Sequence, residues 1–193
     1  NVDFEKKQLK GFARWYIENN NATEIVFDTR DLNIEKVTIG EEEKETKFNV
    51  SRIKDEFKGS ALFIKIEPST DVVTIYYSTA PDNAAALDWV EPALTADKNH
   101  PALFTQGQAI LTRSWIPSQD SPGIRITYNA TIEVPKDLMA VMSATNPKEK
   151  SVDGVYEFEM RQPIPPYLIA LAVGDLVFKP IGERTGIYAE PSV

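Results

Sequence analysis

Two glutamines separated by one glycine, Gln106-Gly107-Gln108, are the residues of this chain best suited to hold a small polar ligand. They lie in the run Phe104-Thr105-Gln106-Gly107-Gln108-Ala109, which reads as a strand. Strand alternation sends Gln106 and Gln108 to one face, with Gly107 opposite or at a bulge. A glutamine amide offers two donors and a carbonyl acceptor, so the pair forms a cradle for a peptide backbone or an amine. Glycine between them lets a second backbone approach closely. The same residues also describe a solvent-facing strand with neutral polar side chains, and both readings stay open on residues alone. Downstream, Arg113 and Asp120 bracket Trp115, Pro117 and Pro122. A buried or half-buried pair of this kind holds a loop's shape through charge-assisted, bidentate hydrogen bonds. The role expected of both is structural.

Little else here does chemistry. The chain has a single histidine, His100, and no cysteine. Zinc sites draw on histidine and cysteine in groups, and a Ser–His nucleophile would have to use His100. That residue sits between Asn99 and Pro101, where a loop anchored by its side-chain hydrogen bonds is expected. No Gly-rich phosphate loop occurs. The acidic run Glu41-Glu42-Glu43, with Glu45 beyond it, follows Gly40 at a hairpin turn and lacks the alternating oxygen ligands of a calcium loop. Three N-x-S/T triplets, at Asn21, Asn49 and Asn129, fit chance in a chain rich in Thr and Asn. The residues contain no catalytic apparatus and no metal site of their own.

Lys and Arg number 21 against 29 Asp and Glu, a net charge of −8. That balance argues against nucleic acid or an anionic membrane as partner. No apolar run approaches the ~20 residues of a membrane span, and the opening residues carry no apolar signal core. At 193 residues one domain can bury roughly 70% of its unfolded surface without disulfides or a structural metal.

The elements that must position these groups are strands. Ile25 and Phe27 alternate with Glu24, Val26 and Asp28, Leu62, Ile64 and Ile66 alternate with Phe63 and Lys65, and in Ile124 to Val134 the residues Ile124, Ile126 and Tyr128 share a face. Further strand runs are Ile34 to Ile39, Lys44 to Val50, Val72 to Thr79, Val155 to Met160, Leu168 to Val173 and Gly186 to Ala189. They are rich in β-branched and aromatic residues and bounded by Gly, Pro, Asn and Asp. Helix-like pieces are confined to short turns around Ala84 to Leu87 and Pro135 to Leu138. The stretch Pro81 to Pro101 reads as a long loop, and Asn146 to Lys150 as a hairpin tip. Close-spaced strands without crossover helices predict an all-β chain of antiparallel sheets packed as a sandwich, in one domain over 1–193.

The order of several motifs resembles a known family. Phe27-Asp28-Thr29-Arg30-Asp31-Leu32-Asn33-Ile34, Leu87-Asp88-Trp89, His100-Pro101 and Leu103 to Ala109 follow one another as in the N-terminal domain of zinc aminopeptidases, in the branch with leukotriene hydrolase. So do Arg113, Ile116-Pro117, Gln119-Asp120-Ser121-Pro122, Val134-Pro135-Lys136, Met142-Ser143-Ala144 and Pro163 to Leu171, after opening strands at Val2-Asp3-Phe4 and Leu9-Lys10-Gly11. The resemblance implies a saddle-like β-sandwich ahead of a thermolysin-like catalytic domain, whose zinc, H-E-x-x-H motif and glutamate base lie outside these residues. It implies that Gln108 faces the substrate's α-amine or backbone, with Gln106 beside it in the pocket wall. Glutamine at position 108, where many relatives have glutamate, is similar to the leukotriene hydrolase branch, which also brings epoxide hydrolysis into view. Gly107 and Ser118 stand where that branch carries cysteines, changes not expected to disturb the sandwich. The expected partner is a peptide substrate and the expected cofactor zinc, held in the full-length enzyme and not by this chain. The rival reading is a stand-alone β-sandwich binding or adhesion module.

Overall fold

The period-two runs become strands of antiparallel sheets in the computed structural model, which describes residues 1–193. The first sheet holds β1 (Val2–Asp3), β2 (Gln8–Tyr16), β8 (Val72–Ser78), β4 (Asn33–Ile39) and β5 (Lys44–Glu45) in the order β1-β2-β8-β4-β5. Opposite it lies a three-stranded sheet in the order β3-β7-β6, built from β3 (Glu24–Thr29), β6 (Phe48–Val50) and β7 (Ser60–Lys65). Phe27, Leu62 and Ile64 project from the small sheet against Val37, Ile39, Val73 and Ile75 from the large one, a closed apolar layer between two faces. This is the sandwich that alternation predicts.

Central β8 is buried along nearly its whole length, on the outward face as well, because side chains fold over it. Arg14 donates through Nε to Thr74 Oγ1 at 3.2 Å and reaches Glu43, while the Tyr76 hydroxyl donates to Glu43 at 2.8 Å. The acidic turn after Gly40, which takes a positive φ of 71°, thus spends its Glu43 carboxylate on neighbouring side chains. The Tyr76 hydroxyl first, then Arg14, holds the Glu43 carboxyl below the usual range.

A second, larger core lies beneath a four-stranded sheet ordered β12-β14-β10-β9. Its members are β9 (Leu87–Val90), β10 (Ala102–Thr105), β12 (Met139–Met142) and β14 (Leu171–Gly174). The long pair β11 (Ile126–Glu133) and β13 (Val155–Ile164) closes the other side, with Tyr156 and Phe158 turned inward beside Trp115, Leu138 and Met139. A ribbon of β15 (Val177–Gly182) and β16 (Thr185–Ala189) completes the chain, with Phe178 and Tyr188 packed at 4.9 Å and Tyr188 donating to Pro147 O at 2.8 Å.

Four expectations need correction. The stretch Pro81 to Pro101 is not one loop: it holds β9 and a 3-10 turn at Pro92–Leu94. Four residues of strand are too short for periodicity to announce, and β9 exists because β10 pairs with all of it. Lys44 to Val50 is two strands, β5 pairing with β4 and β6 with β7, so one run crosses between the sandwich's sheets. Leu168 to Val173 splits into a 3-10 turn at Pro166–Leu168 and β14. Asn146 to Lys150 is no hairpin tip, since β12 pairs with β14 and β13 with β11. Instead the Asn146 amide folds back on Met142 N and O, both at 2.7 Å. The expected turns are present, with Leu87 N–H donating to Ala84 O and Leu138 N–H to Pro135 O.

Candidate functional site

β10 ends at Thr105, one residue before the glutamines, so Gln106 and Gln108 are not strand neighbours on a common face. The strand expectation fails because the ladder is only half kept at the next pair: the Ala86 N–H donates to Ser114 Oγ at 2.9 Å. Gln106 N–H donates to Ala86 O at 2.9 Å, and Leu111 N–H closes a turn onto Gly107 O at 2.8 Å. The turn nevertheless brings the Gln106 side chain onto the Gln108 backbone. Both glutamines are exposed, and Gln106 Oε1 accepts from Gln108 N–H at 3.1 Å. That contact spends the Gln106 carbonyl and leaves its NH2 free to donate, while the Gln108 amide keeps donors and acceptor for a ligand.

Gly107 is buried between them. A Cβ there would lie 2.9 Å from both Thr112 Oγ1 and Tyr167 O, closer than such atoms approach. Close contact explains the glycine, and the turn can lie this low only without a side chain. Gly107→Ala should therefore push the turn off Tyr167 and destabilise the chain by about 1–3 kcal/mol, read as a lowered midpoint in urea unfolding. An unchanged midpoint would mean that Tyr167 yields freely.

The expected Arg113–Asp120 pair is present and buried, at 5% and 2% exposure. Its geometry is not a simple fork. Arg113 Nε and backbone N–H both donate to Asp120 Oδ2, at 3.2 and 3.1 Å, while Nη2 donates to Asp120 O at 2.6 Å. Nη1 donates to Lys58 O at 2.7 Å and lies 3.4 Å from Asp28 Oδ1. Gly59, just beyond Lys58, has φ 71° and leaves 2.1 Å between a Cβ position and Thr29 O, so this hairpin seats against β3 only with glycine. Asp28 also takes Asp120 N–H at 3.0 Å and forms an isolated bridge with Ser118. One guanidinium thus ties the segment after the glutamine turn to the sandwich. Burial pushes the Asp120 carboxyl above its usual value, against the opposing hydrogen bonds and charge of Arg113.

His100 departs from expectation. Its Nδ1 lies 3.3 Å from Asp175 Oδ2 without making a hydrogen bond. Its loop is held instead by the Thr95 hydroxyl, 2.9 Å from Pro92 O and 3.1 Å from His100 O, and by the Glu190 carboxylate, which accepts from Ala96 and Asp97 N–H. No cluster of three or more His, Cys, Asp or Glu side chains is placed to hold a metal ion. No helix is long and apolar enough to cross a membrane. Periodicity could not reveal Ala86, Thr112, Ser114 and Tyr167, which shape the glutamine turn, because each meets it through tertiary contact.

Residues 1–168 match the Peptidase M1 N-terminal domain, and the chain belongs to that family. Leukotriene A-4 hydrolase of Xenopus laevis is 36% identical over 200 residues, which cover 98% of this chain and 32% of that protein. Leucine aminopeptidase 2-2 of Meyerozyma guilliermondii is 36% identical over 194 residues, 99% of this chain and 30% of that one. Among solved structures, native yeast LTA4 hydrolase superposes with a TM-score of 0.87 at 32% identity, over 99% of this chain and 30% of its own. An M1 zinc metallopeptidase from Deinococcus radiodurans shares the fold, with a TM-score of 0.68 at 16% identity over 94% of this chain and 42% of its own. The chain thus spans under a third of the length of these two relatives.

Proposed function

We propose that this chain is the substrate-side domain of a longer zinc-dependent aminopeptidase. In it the chain forms one wall of the cleft and offers Gln106 and Gln108 to the N-terminus of a peptide. The observation that carries the reading is the glutamine turn. Two glutamine side chains stand exposed on one turn, whose Gln106 N–H and Gly107 O are engaged inside the domain. Gln108 accepts from the substrate ammonium and donates to its first carbonyl, and the free NH2 of Gln106 donates alongside. The names of the relatives, a leukotriene hydrolase and a leucine aminopeptidase, point the same way.

The residues present do not fit zinc: one histidine, no cysteine and no ligand cluster. On this reading the metal and the hydrolytic base belong to residues outside these 193, and no bond-breaking step is assigned to this chain. Its part is to bind and orient. Purified alone in metal-replete buffer, the chain should retain no stoichiometric zinc by atomic absorption and release no amino acid from chromogenic aminoacyl substrates. The full-length protein should do both and lose turnover to a chelator. Turnover by the isolated chain would overturn this reading.

A further inference from the structure

Hydrogen bonds close into a circuit around the base of the glutamine turn. Gln106 N–H donates to Ala86 O at 2.9 Å, and Ala86 N–H donates to Ser114 Oγ at 2.9 Å. The Ser114 hydroxyl donates to Leu111 O at 2.7 Å, and Leu111 N–H donates to Gly107 O at 2.8 Å. The peptide bond from Gln106 to Gly107 completes the ring. Every link is backbone except one, the hydroxyl of Ser114, which is 0% exposed.

We infer that Ser114 is a positioning residue for substrate binding, holding the Gln106–Gln108 turn in place through Ala86 and Leu111. The inference rests on the reading of those glutamines as substrate contacts. A hydroxyl has one proton to give. Given to Leu111 O, it leaves a lone pair for the Ala86 N–H, so this one group bridges a donor and an acceptor on separate segments. The 3-10 turn at Thr112–Ser114 does not need it, because Ser114 N–H already donates to Leu111 O at 2.9 Å. What the hydroxyl adds is the tie to Ala86, whose carbonyl in turn fixes where the chain leaves β10. Ala86 is 1% exposed, so water does not replace a lost acceptor, and the segment shifts to find one. That shift moves the acceptor of Gln106 N–H, and the glutamines move with it. Tyr167 and Thr112 press on the other side of Gly107, so the turn has no slack to absorb it.

The test is a double-mutant cycle in the full-length protein, measuring peptide hydrolysis with Ser114→Ala and Gln108→Ala. Ser114→Ala should lower kcat/KM about tenfold, inside the hundredfold that an ångström of misplacement costs, and chiefly through KM. In the Gln108→Ala background the same change should cost less than about threefold, since contacting sites couple rather than add. A tenfold loss in both backgrounds, or no loss in a folded Ser114→Ala protein, would overturn the assignment. If Ser114→Ala does not fold, Ser114→Cys keeps the size and weakens both bonds, and the same coupling decides. An inert Gln108→Ala would instead overturn the glutamine reading itself, and the role of Ser114 with it.

Discussion

Arg113→Met is expected to cost about 3–5 kcal/mol of stability, and to lower the melting temperature by about 6–20 °C for a chain of this size. The reason is the company that Arg113 keeps. Its guanidinium satisfies the Asp120 carboxylate, Asp120 O and Lys58 O at once, in a pocket that leaves Arg113 5% and Asp120 2% exposed. The methionine side chain fills much of the space but donates nothing, so the carboxylate keeps only the backbone N–H of residue 113 and the two carbonyls lose their partner without gaining water. Breaking one side of a buried pair costs more than the pair itself contributes, because a charge is left uncompensated. The loss should depend on pH with a definite sign. Burial already raises the Asp120 pKa, and a raised carboxyl contributes stability below its unfolded value that is lost as pH rises through the folded one. Without Arg113 the folded pKa rises further and the window widens upward. The gap between the two proteins should be widest near neutral pH and narrow toward pH ~4, as Asp120 takes up its proton. Melting curves across that range decide it: a gap that grows on acidification would show that Arg113 does not compensate Asp120.

Gln108→Ala should depress kcat/KM for peptides in the full-length protein by about ten- to a hundredfold, the equivalent of roughly 1.5–3 kcal/mol for a hydrogen bond to a charged group. Within the isolated chain the Gln108 side chain is exposed and only its backbone N–H is engaged, by Gln106 Oε1. Zinc content and melting temperature should therefore stay nearly unchanged, separating a binding defect from a folding one. Gln108→Glu should be milder, because a carboxylate pairs with the substrate ammonium although it loses the donor for the carbonyl. Peptide hydrolysis unaffected by Gln108→Ala would return the pair to ordinary polar surface.

Alternation in Ile25 and Phe27, in Leu62, Ile64 and Ile66, and along β11 determined from sequence that the chain is a set of strands with one face buried. Burial along a strand repeats every second residue, so the pattern survives without knowledge of partners. The Arg113–Asp120 pair was legible too, as opposite charges placed seven residues apart around a tryptophan and two prolines. Where strands end was not legible, and the site depends on that. β10 stops at Thr105 because the Ala86 N–H turns to Ser114 Oγ and Gly107 lies close beneath Tyr167, contacts between segments far apart in the chain. Periodicity placed Gln106 and Gln108 on one face of a strand; tertiary structure sets them on a turn instead, with Gln106 folded onto the Gln108 backbone, and only it recruits Ser114 to hold them. Lys44 to Val50 read as one strand for the same reason, since alternation records which side is buried but not which sheet a strand joins. Pairing is decided by backbone donors and acceptors that every residue carries alike, and the folded chain alone selects among them.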